Sequence, residues 1–200
     1  KAEAEQYLRA ATKLTPTSQP ARGRKQAWIA LGHFLEQADP EEAVNAFRQA
    51  AIVDAKDPEP HLLAGSVLEK LKNPEAEQEY QIALAADRDS SDAMTALTNY
   101  YTAQHRYADA ENLLRKLAIL RPNDASVHIQ LGRMLAMSGK SEDAATELES
   151  GLKLDPSDEN AKRDLAEVYS DQKKFGDAEK IYRDLLSKLP NDAGLHYRLG

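Results

Sequence analysis

"PNDASVHIQLG" occupies Pro122–Gly132, and "PNDAGLHYRLG" occupies Pro190–Gly200. The two phrases lie 68 residues apart, and half of that distance is 34. If 34 is a repeat length, every thirty-fourth residue should be alike. Take His128 as the fourth place of a unit starting at Ala125. Leu131 and Gly132 are then seventh and eighth, Ala144 twentieth, Leu148 twenty-fourth, Gly151 twenty-seventh and Pro156 thirty-second. One unit later the same places hold Lys162, Leu165, Ala166, Ala178, Tyr182, Leu185 and Pro190; one unit earlier they hold Met94, Leu97, Thr98, Ala110, Leu114, Leu117 and Pro122.

Upstream the frame continues when each unit drops one residue between its eighth and twentieth places. His61, Ala64 and Gly65 are followed by Ala76, Tyr80 and Ala83, and Trp28, Leu31 and Gly32 by Ala43, Phe47 and Ala50. The lost residues fall beside Asp39-Pro40 and Asn73-Pro74, each an N-cap residue followed by the proline that suits the first helical position. Turns absorb such length changes where packed helices do not. Within each unit the apolar spacing is helical, broken once near the middle, as at Ser138-Gly139-Lys140, and once near the end, as at Asp155-Pro156-Ser157-Asp158. Each unit is therefore a helix-turn-helix. Small residues at the eighth and twentieth places let the two helices approach closely. One such pair cannot bury its own apolar face, so neighbours must stack.

Composition agrees with this reading. Hydrophobic residues make up 42% and charged residues 30% of the 200, with aromatics at only 6%. Helix formers predominate over β-branched residues, so the composition is all-α. No apolar run approaches the roughly 18 to 20 residues of a membrane span, and membrane insertion is not expected. With no cysteine there is neither a disulfide framework nor a thiolate metal site. A formal charge of −7 opposes phosphate backbones, so nucleic acid is not an expected partner.

The pattern Trp28-x-x-Leu31-Gly32 with Ala43-x-x-x-Phe47, punctuated by Pro122, Pro156 and Pro190, resembles the tetratricopeptide repeat, whose unit is 34 residues. The resemblance recurs over five full units, 25–57, 58–90, 91–124, 125–158 and 159–192. Ala55 and Arg88 stand where the proline is usual, Thr98 where the glycine is, and Lys162 where a large residue is. The resemblance implies a right-handed superhelical α-solenoid of antiparallel helix pairs. Residues 1–16 fit the second helix of a truncated repeat, 17–24 an insertion loop, and 193–200 the start of another truncated repeat. A fragment of a longer array is the expectation that follows.

No catalytic constellation is legible. His61, His128 and His196 share the fourth place with Trp28 and Met94 and are expected to pack helices, while His33 and His105 lack the partner spacing of metal ligands. Glu41-Glu42 and Glu142-Asp143 sit in first turns, where they complement the helix dipole. No phosphate-cradling glycine loop occurs, so neither a cofactor nor an enzyme activity is expected.

The resemblance places function on the concave face, lined by first helices. Carried over, the fifth and ninth places give Ile29 and His33, Leu62 and Ser66, Thr95 and Asn99, Ile129 and Arg133, Arg163 and Glu167, and finally Tyr197 at a fifth place. This implies a groove, largely apolar along the fifth place, that binds a protein or peptide with spaced apolar anchors. Grooves of the family that clamp a chaperone's acidic terminus carry Lys at the fifth place with Asn at the ninth, whereas here Asn99 accompanies Thr95. The asparagine ladder of the sugar-transferase members is also missing: the sixth place reads Ala30, Leu63, Ala96, Gln130, Asp164 and Arg198. A non-catalytic interaction scaffold is the expected function. The alternatives are an accessory array of a larger multidomain enzyme and a module for self-association through exposed repeat ends.

Overall fold

The computed structural model describes residues 2–14 and 20–199. Expectations placed on Pro16, on residues 17–19 and on Gly200 fall outside those residues. Two compact units divide the chain, residues 1–100 and 101–200. The first holds α1 (Ala2–Lys13), α2 (Pro20–Leu35), α3 (Pro40–Val53), α4 (Glu59–Lys70), α5 (Glu75–Ala86) and most of α6 (Ser91–Ala103). The second holds the end of α6, then α7 (Tyr107–Leu120), α8 (Ala125–Met137), α9 (Ser141–Leu154), α10 (Glu159–Asp171), α11 (Phe175–Lys188) and α12 (Ala193–Leu199). No strand occurs among the described residues.

Within each unit a helix packs chiefly on its neighbours in the chain. In the first unit α2 packs on α3 and α4 on α5, with α3 against α4 and α1 against α2. In the second, α8 pairs with α9 and α10 with α11, with α9 against α10 and α12 against α11. The fold is all-α, built of helix pairs in series. Such an architecture buries apolar surface by stacking like units and not around one central core.

The contact between the two helices of a pair explains the small eighth residue. A Cβ on Gly32 would stand 2.4 Å from the Phe47 ring, and one on Gly132 would stand 2.6 Å from Leu148 Cγ and 3.1 Å from the Ala144 carbonyl oxygen. Neither site has room for even one carbon. Glycine there lets the twenty-fourth residue lie directly on the first helix, and Phe47, Tyr80 and Leu148, opposite Gly32, Gly65 and Gly132, are buried as a result.

First helices end by a shared device. Lys72, His105, Gly139 and Lys173 each have positive φ, at 55°, 58°, 74° and 61°. All four occupy the fifteenth place. The residue after each donates its N–H to a carbonyl five residues back: Asn73 to Leu68, Arg106 to Tyr101, Lys140 to Leu135 and Lys174 to Tyr169, at 2.8–2.9 Å. That is the Schellman motif, which satisfies orphan carbonyls and reverses the chain. Helix α2 ends differently, because Asp39 directly caps α3 by accepting from Glu42 N at 3.0 Å, with Pro40 at the first helical position. The two short repeats therefore shorten in different places. The first loses the left-handed residue, whereas the second keeps Lys72 and shortens the start of α5.

The loop expected over 17–24 is corrected at its C-terminal end, because α2 begins at Pro20. Proline is favourable at a first helical position, and Arg22, Arg24 and Lys25 are good helix formers that outweigh the roughly 1 kcal/mol cost of Gly23. Lys25 is then held by two carboxylates of the turn after α3, Asp54 at 3.2 Å and Asp57.

Candidate binding surface

Ion pairs join residues about one repeat apart along both units. In the first, Arg9 reaches Glu42 at 2.6 Å, Arg48 reaches Glu75 at 2.8 Å and Glu79 at 2.6 Å, and Lys70 lies 3.5 Å from Glu36. In the second, Lys140 bonds Glu111 at 2.8 Å, Arg133 bonds Asp164, Arg163 bonds Asp192 at 2.6 Å and Arg198 bonds Glu167 at 2.6 Å. Most are exposed enough that each contributes about 0 to 1 kcal/mol. They link side chains 27 to 34 residues apart along the array of helices. Glu79 and Glu111 are the exceptions in burial: burial raises the pKa of each, but the bonds from His61 and Arg48 in one case and Lys140 and Arg115 in the other outweigh it and hold both below the usual carboxylate range.

These pairs alter the expected groove. Arg133 is engaged by Asp164 of the next repeat, Arg163 by Asp192 at the end of its own repeat, and Glu167 by Arg198, so these groups are not unengaged charges awaiting a partner. Ile29 and Ile129 are corrected outright. They are 6% and 4% exposed and belong to the core. The reason is local: Gly151 on α9 leaves a space that Ile129 enters, since a Cβ there would stand 2.5 Å from Ile129 Cγ1. Leu62, Ser66 and Thr95 are half-buried, and the Thr95 hydroxyl donates back to the Ser91 carbonyl at 2.7 Å. His33 and Asn99 are exposed, with His33 Nδ1 2.6 Å from Glu36 Oε1 and its ring edge-on to Phe47. Tyr197 is 85% exposed.

Beside His33 the structure forms a cavity of about 430 Å³ lined by Glu5, Phe34, Glu36, Gln37 and Ala38. It joins an aromatic wall to two carboxylates and an imidazole. No group of three or more His, Asp or Glu side chains among the described residues could hold a metal ion. No helix among them is long and apolar enough to cross a membrane.

Sequence reading gave the fourth-place histidines a packing role and missed their partners. His61 Nδ1 lies 2.6 Å from Glu79 Oε2, and His128 Nδ1 lies 2.7 Å from Glu147 Oε2. Both carboxylates occupy the twenty-third place of the same repeat. A signal for this exists: where the fourth place is Trp28 or Met94, the twenty-third is Ala46 or Leu113. In these four repeats the two places change character together, apolar with apolar and histidine with glutamate; the fifth departs from this, with Lys162 and Ile181.

With this geometry in hand, comparison with known proteins is direct. Tetratricopeptide-repeat profiles match residues 33–93, 101–162 and 135–199. The chain belongs to the tetratricopeptide-repeat family. Among curated proteins it is 27% identical to cellulose synthase operon protein C of Xanthomonas axonopodis pv. citri over 76% of this chain and 10% of that protein. It is 24% identical to the type IV pilus assembly protein PilF of Pseudomonas aeruginosa over 79% of this chain and 64% of that protein. The chain thus spans a tenth of one relative and somewhat under two thirds of the other. Among solved structures, YrrB, described as a TPR protein with an unusual peptide-binding site, superposes with a TM-score of 0.72 at 20% identity, covering 86% of this chain and 89% of that one. The Pseudomonas aeruginosa pilF structure gives 0.65 at 23% identity, covering 84% and 77%. These likenesses establish the fold. Tetratricopeptide repeats are protein-interaction modules, and the chain is a protein-interaction scaffold of that kind.

Proposed function

We propose that this scaffold is non-catalytic and holds a segment of a partner protein along the first-helix face of its repeats. The observation that supports it most is the division of labour between groups on that face. Charged side chains there pair internally, as Arg133, Arg163 and Glu167 do, while Leu62, Asn99 and Tyr197 are at least partly accessible. Recognition then rests on apolar anchors and neutral hydrogen bonds, with charge serving to shape the surface. A peptide relying on acidic groups alone would have to compete with Asp164 and Asp192 for their arginines.

The test sets the two helix faces against each other. Leu62→Glu and Tyr197→Glu should weaken partner binding by about 10- to 100-fold, as loss of an anchor does. Ile119→Glu and Lys180→Glu, on exposed second-helix positions, should leave it unchanged. Titration calorimetry with circular dichroism as a folding control reads both. Loss of binding only from the second-helix pair would overturn the assignment.

A second reading is favoured by the two relatives, one a cellulose synthase operon protein and one a type IV pilus assembly protein. In it the array is the accessory docking part of a larger assembly whose chemistry resides elsewhere. Co-purification of the whole gene product with a synthase or pilus subunit, lost on Leu62→Glu, would support that reading.

A further inference from the structure

The imidazole of His128 sits between two acceptors. Its Nδ1 is 2.7 Å from Glu147 Oε2 on α9, and its Nε2 is 3.1 Å from the Pro122 carbonyl oxygen in the turn between α7 and α8. A carbonyl and an ionised carboxylate have no proton to give, so both ring nitrogens must donate, which only the imidazolium does. Were the proton on Glu147 instead, the ring would accept at Nδ1 and donate at Nε2. Either way the pair holds one proton more than a neutral histidine beside an ionised glutamate.

The other histidines at this place make half of the arrangement each. His61 meets Glu79 at 2.6 Å, but Ala55 stands where the preceding proline would be. His196 meets the Pro190 carbonyl at 2.8 Å and is exposed at the end of α12. A single bond of this kind is served by one tautomer of a neutral ring. His128 has both.

We propose that His128, Glu147 and the Pro122 carbonyl form a proton-dependent staple that clamps the α7–α8 turn and α8 onto α9, and that releases as pH rises. Removal of the proton leaves one N–H for two acceptors, so one lone pair must face another. The charged groups around the ring favour the closed form. Glu147 faces it from α9, and Asp124 faces it from the turn, where it caps Ser126 N at 3.0 Å and lies 3.7 Å from Arg121 at the end of α7. From α10 the charged group that reaches α8 is Asp164, already held by Arg133. Burial alone would lower the histidine's pKa. The bonds to Glu147 and Pro122, with the two nearby carboxylate charges, outweigh it and raise the value above that of a free imidazole.

The sign follows from linkage. A raised folded-state value means the stabilisation is complete below the unfolded pKa of about 6.5 and is lost as pH climbs through the folded value. The staple is independent of any partner on the first-helix face.

Two measurements test it on the intact chain. Long-range ¹⁵N–¹H spectra at about pH 7, just above the free-imidazole value, should show both His128 ring nitrogens protonated, with His196 as the reference for a ring held by a proline carbonyl alone. A neutral tautomer at His128 with ionised Glu147 would overturn the proposal. Denaturant midpoints of the wild type and Glu147→Gln should differ clearly at about pH 5.5 and converge by about pH 9, either side of the histidine range. A difference that is the same at both pH values would also overturn it, and the spectra stand even if the variant folds poorly.

Discussion

Asp124–Leu131 and Asp192–Leu199 share aspartate, alanine, histidine and leucine at matching places, fold alike over their first turn, and bury their fifth-place side chains very differently. Each opens on an aspartate that accepts a backbone N–H of its own helix, from Ser126 at 3.0 Å and from Leu195 at 3.0 Å. Each carries a histidine whose Nε2 lies against the carbonyl of the proline six residues back. Beyond that they diverge. Ile129 is enclosed by α9, while Tyr197 in the same place stands in solvent on α12, which packs on α11. The phrase encodes a turn, a cap and a helix start, and Ile129 becomes core because α9 encloses it at Gly151.

The sharpest way to break this comparison is to cut back the matched fifth-place side chains. Ile129→Ala should cost about 2 to 4 kcal/mol, from lost transfer energy and a cavity against Gly151 that the helices cannot fully close. Tyr197→Ala should stay within about 0.5 kcal/mol, as exposed positions do. Equal costs in denaturant unfolding would mean that local sequence, and not the neighbouring helix, sets the energetics. Somewhat smaller is Gly132→Ala. Its Cβ would meet Leu148 and the Ala144 carbonyl, and overpacking of that sort costs about 1 to 3 kcal/mol.

The caps sharpen the comparison from the other side. Asp124→Ala should lower stability by about 0.5 to 2 kcal/mol, the usual value of an N-cap. Asp192 does two things, capping Leu195 and accepting from Arg163 at 2.6 Å. Its bond to Arg163 and the Leu195 N–H hold its carboxyl below the ordinary range. A depressed carboxylate stabilises above its unfolded pKa, so its contribution disappears as pH falls through the lowered folded value. Acidification should therefore unwind α12 before α8, read from Cα chemical shifts of Leu195 and Leu131. Simultaneous loss would show that the two starts are not independent.

Much of this was legible because a repeat proofreads itself. The eighth and twentieth places read small in almost every copy, and the crowding of Gly32 and Gly132 is the physical cause. The groove was less legible. Fifth-place residues were assigned to one face from resemblance, but Ile129 is in the core because Gly151 makes room for it, a contact the fifth place alone does not display. The repeat-to-repeat ion pairs were hidden for a different reason. Arg133 with Asp164 and Arg48 with Glu79 are 31 residues apart, slightly less than one repeat, so the partners occupy different places and no single column of the alignment displays them. The start of α2 was missed because residues 17–24 exceed the repeat frame and read as an insertion loop, although Pro20 suits a first helical position and the single glycine, Gly23, costs a helix only about 1 kcal/mol.

The smallest predicted effect concerns the fifteenth place, where two neighbouring repeats share one turn geometry but place Gly139 in one and Lys173 in the other. Gly139 adopts φ of 74° and Lys173 adopts 61°, and each precedes the donor of a Schellman bond. Glycine enters the left-handed region freely, whereas a side chain there crowds the following carbonyl at a cost of about 1 to 2 kcal/mol. Lys173→Gly removes that crowding but also loosens the unfolded chain, which returns about 0.4 to 1 kcal/mol. The net gain should be a few tenths to about 1 kcal/mol. Gly139→Lys should lose a similar amount, since it makes the opposite exchange in the same hydrogen-bonded frame. Lys174, 5.6 Å from the Tyr169 ring, and the 2.6 Å bond from Tyr169 to Glu149 are untouched by either change, so the pair isolates backbone conformation. Opposite shifts in the denaturant midpoint would show that the turn, and not the residue in it, is what the repeat requires; shifts of the same sign would show that the lysine makes a compensating contact glycine cannot.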